Sequence, residues 1–190
     1  RVDMMRSVRD ERFKYHRNYL PHLPFAQPIE YMDLLPTMKE LRRLSAVGQL
    51  MGAAAHFMAP TKPAEELYDL RTDPHETRNL AGVSEHEPVL KRMREAHLKW
   101  ARDTRDLSLL PEAEMRARSE GSSPYEIAQR AEAFPLERLL QTAELTRHGV
   151  EALPKMVNAL KDSDSAVRYW GASALIALGT KAQPAADALA

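Results

Sequence analysis

The clearest structural signal in this sequence is the run 66–81, which reads Glu66-Leu67-Tyr68-Asp69-Leu70-Arg71-Thr72-Asp73-Pro74-His75-Glu76-Thr77-Arg78-Asn79-Leu80-Ala81. Its opening residues alternate as a short strand does. Asp73 stands where an N-cap residue would, with Pro74 at the first helical position and Glu76 at the third. The run therefore predicts a strand followed by a turn of helix with a capping box.

Upstream of this run, a β-hairpin is predicted near the start of the chain. Segments 3–9 and 12–19 are separated by a polar pair of residues, and Phe13, Tyr15 and Arg17 alternate with polar neighbours. Together with the strand at 66–70, the hairpin predicts a small antiparallel sheet.

Two helices are predicted in the first half of the chain. One begins at Pro36 and ends before Gly48, because apolar residues recur there at helical spacing. The other lies near 84–106 and should cover the sheet with one apolar stripe. That stripe is Val89, Met93, Ala96, Trp100 and Thr104. Trp100 is accordingly expected in the core.

The second half changes character. Residues 109–134 contain prolines, a charged run and Gly121-Ser122-Ser123-Pro124, which together predict a linker. Residues 135–190 show helical periodicity throughout, with Trp170 on an apolar face. The predicted fold class is therefore α+β over 1–108, then a linker over 109–134 and an all-α segment over 135–190.

Composition excludes several classes of function. The chain has 190 residues, with 27 Lys and Arg balancing 27 Asp and Glu. No electrostatic footprint for nucleic acid or an anionic membrane is therefore expected. Without cysteine, disulfides, cysteine-bound metals and thiol nucleophiles are excluded. Because the chain starts at Arg1 and stops at Ala190 within a helical pattern, we expect a piece of a larger protein.

The run 66–81 resembles the signature near the C-terminus of type I sulfatases, where Leu-Tyr-Asp-Leu leads into Asp-Pro-x-Glu-x-x-Asn-Leu. Met5-Arg6-Ser7-Val8-Arg9 and Arg12-Phe13-Lys14-Tyr15 resemble the hairpin that opens the C-terminal subdomain of that family. The wording is most similar to the heparan N-sulfatase (sulfamidase) branch. The resemblance covers about Met4 to Trp100, roughly half of the chain.

This resemblance implies a sulfatase C-terminal subdomain whose parent hydrolyses sulfate esters or sulfamates on a carbohydrate. It also implies Ca²⁺ and a formylglycine, made from Cys or Ser in C/S-x-P-x-R, both held outside this chain. The implied partners are the N-terminal catalytic domain of the same chain and a sulfated carbohydrate, and the implied location is periplasmic or secreted. The fragment alone should be inactive.

No catalytic, cofactor-binding or metal-ligating residue is predicted here. Ser122-Ser123-Pro124-Tyr125-Glu126 comes nearest to the nucleophile motif but has Glu126 where Arg is required. A carboxylate there would repel an anionic sulfate. A Ser-Pro helix start accounts for the same residues.

Three residues are predicted to lie near the substrate, namely His16, Arg17 and His22. They flank a proline-rich loop that could approach a substrate cleft, and loops often carry function. Arg offers paired donors to sulfate oxygens. The alternative for these residues is an exposed strand whose charged side chains shield the sheet.

The segment Asp162-Ser163-Asp164-Ser165-Ala166-Val167-Arg168, with Ala172, Ala174, Leu175 and Gly179 after it, is similar to HEAT-like repeats. That resemblance implies the opening of an α-solenoid and a possible protein partner on the repeats. Two alternative functions stay open. One is a non-catalytic interaction module built on the repeats, and the other is a phosphate-ester enzyme of the alkaline phosphatase superfamily with zinc sites upstream.

Overall fold

The computed structural model describes residues 2–188, with side chains described up to residue 186. Arg1 and Ala190, which the sequence analysis treats as cut ends, lie outside the described residues. The described chain divides after Lys91 into two compact units. Within residues 2–188, no helix is both long enough and apolar enough to cross a lipid bilayer.

The first unit contains a three-stranded antiparallel sheet in the order β1-β2-β3. Strand β1 is Met5–Arg9, β2 is Phe13–Asn18 and β3 is Glu65–Asp69. The predicted hairpin and third strand are confirmed. In this register His16 lies opposite Glu66, so both side chains emerge from the same face of the sheet.

The two faces of the sheet differ in chemistry. One face is apolar at its centre, where Tyr15 lies opposite Leu67 and both are fully buried. The other face, here called the polar face, follows from the period of two along a strand. Its members on β2 and β3 are Lys14, His16, Asn18, Glu66 and Tyr68.

Residues 19–64, here called the insertion, connect β2 to β3. The insertion contains α1 (Glu30–Asp33), α2 (Pro36–Ala46) and α3 (Gly52–Phe57). Helix α2 is confirmed with Pro36 in its first turn, where a missing amide costs nothing. Gly48 follows it at φ +66°, a left-handed backbone that favours glycine. Helix α3 lies in a segment, 49–61, that has no clear apolar pattern.

The loop after β3, residues 70–81, is here called the motif loop, and it forms no helix. The predicted capping box is therefore wrong. Asp73 does cap backbone amides, but they belong to Thr77 and Arg78, each at 2.8 Å. Glu76 takes a left-handed backbone at φ +55°. Its carboxylate bonds to side chains of β2 rather than to the amide of Asp73, so a capped helical turn cannot form.

A 3₁₀ turn over Ser84–His86 leads into α4, Glu87–Asp103. The predicted helix is confirmed, but its stripe is rotated, and Trp100 is 44% exposed, so its predicted core position is wrong. Leu90 and Ala101, which the prediction did not assign to the stripe, belong to the buried face of α4, and Trp100 lies at the edge of that face. The buried residues are Leu90, Met93, His97 and Ala101. Whether α4 covers the sheet stays a prediction.

The second unit continues through residues 109–134, which contain two short helices. A 3₁₀ turn over Leu107–Leu109 precedes α5, Glu112–Arg118, and α6, Pro124–Ala128. Arg118 connects α5 to the rest of the unit by donating to both carboxylate oxygens of Asp164 at 2.9 Å. The boundaries at 108 and 134 stay predictions.

Helices fill the described part of 135–190, as predicted. They are α7 (Leu136–Glu144), α8 (Leu153–Ala159) and α9 (Ser165–Leu178). A 3₁₀ segment follows α7 at Leu145–Arg147, and another precedes α8 at Val150–Ala152. A longer one, Gly179–Ala188, follows α9.

Trp170 of α9 anchors the core of the second unit. Its side chain is 2% exposed, which confirms the predicted core position. Its indole nitrogen donates to the carbonyl oxygen of Leu109 at 2.7 Å, so the one polar atom of the ring has a partner.

Helices α8 and α9 approach each other closely at Gly171. A Cβ at this position would lie 2.9 Å from the Cβ of Ala159 and 3.1 Å from the carbonyl oxygen of Met156. Both neighbours belong to α8 and neither is the end of a flexible side chain. The contact therefore requires glycine despite its low helical propensity.

We expect Gly171→Ala to lower the free energy of unfolding by about 1–3 kcal/mol, because the added methyl overpacks the α8–α9 contact. Urea unfolding monitored by circular dichroism measures the change. Ile176→Ala, on an exposed position of the same helix, is the control and should change the free energy by less than about 0.5 kcal/mol. A more stable Gly171→Ala variant would contradict the close approach.

Candidate functional site

The structure separates the three residues predicted to lie near the substrate. His16 is on the polar face, whereas Arg17, its neighbour in the strand, is on the opposite face and fully buried. His22 lies in the insertion and is partly exposed. Their nearness to a substrate stays a prediction, but Arg17 cannot present its guanidinium to solvent in this unit.

Arg17 has a structural environment. Its guanidinium donates to the carbonyl oxygens of Asn18 and Ala64 at 2.7 and 3.1 Å, and it stacks 4.4 Å from the ring centre of Tyr19. These contacts satisfy a buried cation with carbonyl dipoles and an aromatic face. These hydrogen bonds connect the backbone at the beginning of the insertion to the backbone at its end.

On the polar face, His16 is engaged by the motif loop. Its Nε2 lies 2.9 Å from Oε2 of Glu76, and Nζ of Lys14 donates to Oε1 of the same carboxylate at 2.7 Å. Burial acts to raise the pKa of Glu76, but the hydrogen bonds from Lys14 and His16 outweigh it and hold that pKa below its usual range. The strained φ of Glu76 is maintained by this pair of bonds.

A second contact with the hairpin forms at the last residue of β3, directly before the motif loop. Arg12 donates to Oδ2 of Asp69 through Nη2 at 2.6 Å and Nε at 3.0 Å. This hydrogen bond is the main reason that the pKa of Asp69 is below its usual range. The pKa of Asp73 is also lowered, first by the amide of Arg78 that its carboxylate accepts.

The remaining part of the polar face is organised around Glu66. Its buried carboxylate accepts from Nδ2 of Asn18 at 2.6 Å and from the hydroxyl of Tyr68, and Nε2 of His56 lies 3.6 Å from Oε2. Burial first, and then the bond to Glu66, raise the pKa of the Tyr68 hydroxyl. Tyr68 also contacts His16 edge to face, at 5.9 Å between ring centres.

Beside Glu66, residues of the insertion form a partly exposed group. The ring of His56 lies 5.3 Å from that of Phe25, and Nζ of Lys62 lies 5.5 Å from the Phe25 ring centre. Lys62 is itself buried and donates to both carboxylate oxygens of Asp3 at 2.8 and 2.7 Å. Burial, and then the charge of Lys62, lower the pKa of His22.

Sequence reasoning missed His56, Glu66 and Lys62 as members of this group. Glu66 had a signal, because the alternation of β3 places it on the same face as Tyr68, and a carboxylate that is buried there needs partners. His56 had none, since α3 has no repeating apolar pattern and only the fold brings it to Glu66.

Within residues 2–188, no cluster of three or more His, Asp and Glu side chains is arranged to hold a metal ion. Ser123 is the N-cap of α6, and its side chain and Glu126 form a reciprocal capping box. The helix-start interpretation of Ser123-Pro124 is confirmed.

Similarity to known proteins defines the class of this region as sulfatase-related. An ulvan-active sulfatase of Formosa agariphila is 42% identical over 114 residues, which are 60% of this chain and 19% of that protein. The N-sulphoglucosamine sulphohydrolase of Homo sapiens is 33% identical over 106 residues, 54% of this chain and 20% of that enzyme. A second ulvan-active sulfatase of F. agariphila is 30% identical over 104 residues.

The chain spans 18–20% of the length of these curated relatives. No protein-family model matches the chain. The sulfatase relationship therefore describes a region of somewhat more than half of the chain, and the activity of a whole protein is a matter for proposal.

We expect the first unit to lose stability in acid. The pKa values of Asp69, Asp73 and Glu76 are lower in the folded state than usual, so the unfolded state binds more protons as the pH falls. Their stabilisation is complete above about pH 5 and is lost as the pH falls through about 4 and below. Urea midpoints between pH 7 and 3 measure this loss, which should be smaller in Asp73→Asn. Midpoints independent of pH would contradict it.

We expect Glu76→Gln to lower the free energy of unfolding by about 1–3 kcal/mol, because charge-assisted bonds to Lys14 and His16 are lost while the strained backbone remains. Glu85→Gln, on an exposed position of the same unit, is the control and should change little. Chemical denaturation measures both. Equal effects of the two substitutions would show that the Glu76 contacts do not stabilise the loop.

Proposed function

We propose that this chain is the C-terminal portion of a sulfatase that hydrolyses sulfate esters or sulfamates on a carbohydrate. The observation that carries the proposal is the 42% identity to an ulvan-active sulfatase over a region of 114 residues. The name of the human relative, an N-sulphoglucosamine sulphohydrolase, supports a sulfated sugar as the substrate class. The three-stranded sheet and the motif loop bonded to it support the interpretation of this region as a folded subdomain of that enzyme.

In this proposal the catalytic residues lie upstream, in an N-terminal catalytic domain of the same protein. That domain would hold the formylglycine and Ca²⁺, and this chain would complete the fold and shape one wall of the substrate cleft. The insertion exposes several large apolar side chains, which supports the presence of another domain that covers them. Tyr31 is 70%, Leu34 68% and Met51 85% exposed. The proposed location is periplasmic or secreted.

A second candidate function is a protein-interaction module built on HEAT-like repeats. The feature in its favour is the pairing of α8 with α9, in which Asp164 caps α9 by accepting the amides of Ala166 and Val167 at 2.9 and 3.3 Å. Asp164 and Val167 belong to the repeat-like segment. In this function the helices would bind a protein partner, and the sulfatase-related half would be a non-catalytic remnant.

The deciding experiment uses the full-length protein that contains this chain. Its coding sequence should contain C/S-x-P-x-R upstream, and the purified protein should release sulfate from O-sulfated or N-sulfated saccharides. Replacement of the motif nucleophile by Ala is the control and should abolish release. Absence of the motif and of sulfate release would favour the interaction module. Phosphate release with two bound zinc ions would instead indicate a phosphate-ester enzyme.

A further inference from the structure

His56 and Glu66 form an imidazole–carboxylate pair that nothing in the motif assigns. The side chain of His56 is 41% exposed, whereas that of Glu66 is 4% exposed, and Nε2 lies 3.6 Å from Oε2. At this distance the pair is a close electrostatic contact rather than a hydrogen bond, and Nε2 is the ring nitrogen on the side of the carboxylate. With Nε2 facing the carboxylate, Nδ1 is the nitrogen left to meet a ligand.

The pair is not required to satisfy Glu66. Its carboxylate already accepts from Asn18 at 2.6 Å and from the hydroxyl of Tyr68. Buried carboxylates with two good donors are stable without a third. Glu66 therefore positions His56, and not the reverse, so a structural role alone does not account for the histidine.

The surroundings of His56 suit a sugar ring. The ring of Phe25 lies 5.3 Å away at an angle of 52°, which supplies an apolar surface for the C–H face of a pyranose. Lys62 contacts the Phe25 ring but is buried and paired with both carboxylate oxygens of Asp3, so this ion pair is neutral overall. An aromatic ring beside a few convergent polar groups is the usual composition of a small-molecule site.

We propose that His56 binds the saccharide part of a sulfated substrate, with Nδ1 at a sugar hydroxyl and Phe25 against the ring. Glu66 is the positioning residue that orients the imidazole. This inference rests on the proposed sulfatase function and deepens it by placing a substrate contact in the insertion. His56 recognises the sugar and takes no part in cleavage of the S–O or S–N bond.

The test compares two substrates of the full-length enzyme. His56→Leu should raise KM for a sulfated oligosaccharide about tenfold, the effect of one lost hydrogen bond to a ligand. It should leave kcat/KM for a small aryl sulfate, which has no sugar to contact, within about twofold. His56→Gln keeps a polar group and should restore part of the loss. His75→Leu, at an exposed histidine of the motif loop, is the matched control and should change neither substrate.

The outcomes separate this inference from the proposed function. An unchanged KM for the oligosaccharide, or an equal loss on both substrates with a lower melting temperature, would overturn the role of His56. If the unsubstituted enzyme releases sulfate from neither substrate, the sulfatase proposal fails. Binding is then read from the imidazole NMR signals of His56 during titration with a sulfated disaccharide. A saturable shift that His75 does not show supports the site, and no shift overturns it.

Discussion

The first unit depends on closure of the open edge of β3. An edge strand presents unpaired backbone groups that would otherwise bind another chain. Asn79 closes this edge with its side chain, because Oδ1 accepts the amide of Leu67 at 3.0 Å and Nδ2 donates to the carbonyl of Glu65 at 3.1 Å. The amide of Leu80 donates to the carbonyl of Leu67 at 2.8 Å. The motif loop therefore acts as a partial fourth strand, and the spacing from strand to Asn-Leu has a structural cause.

The sequence predicted those elements whose signals are local. The hairpin, β3 and α2 follow from alternation, turn chemistry and the first-turn proline, and each is found within a residue or two of its expected bounds. The helical periodicity of α7 to α9 was equally visible. Such signals survive because each element buries the side chains that its own period places on one face.

The failures share one cause, namely competition from distant groups. The spacing of Asp73 and Glu76 matches a capping box, yet the side chains of Lys14 and His16 both bond to the carboxylate of Glu76. Two side-chain bonds, one of them from a charged lysine, are stronger than one bond to a backbone amide, so the loop takes a left-handed residue instead of a helical turn. Trp100 likewise fits an apolar stripe by its spacing, but the packing around Leu90 and Ala101 sets the rotation of α4. For the same reason the link from His56 to Glu66 appears only in the fold.

The polar face holds two carboxylates in different environments, and the difference assigns them different roles. Glu76 is paired with a lysine, accepts a contact from a histidine and joins a loop to a strand, so its charge is used for stability. Glu66 is bound by neutral donors, Asn18 and Tyr68. His56 is the partly exposed group beside it, with Nε2 3.6 Å from Oε2. Glu76 thus holds the motif loop against β2, whereas Glu66 lies between the sheet and His56 of the insertion.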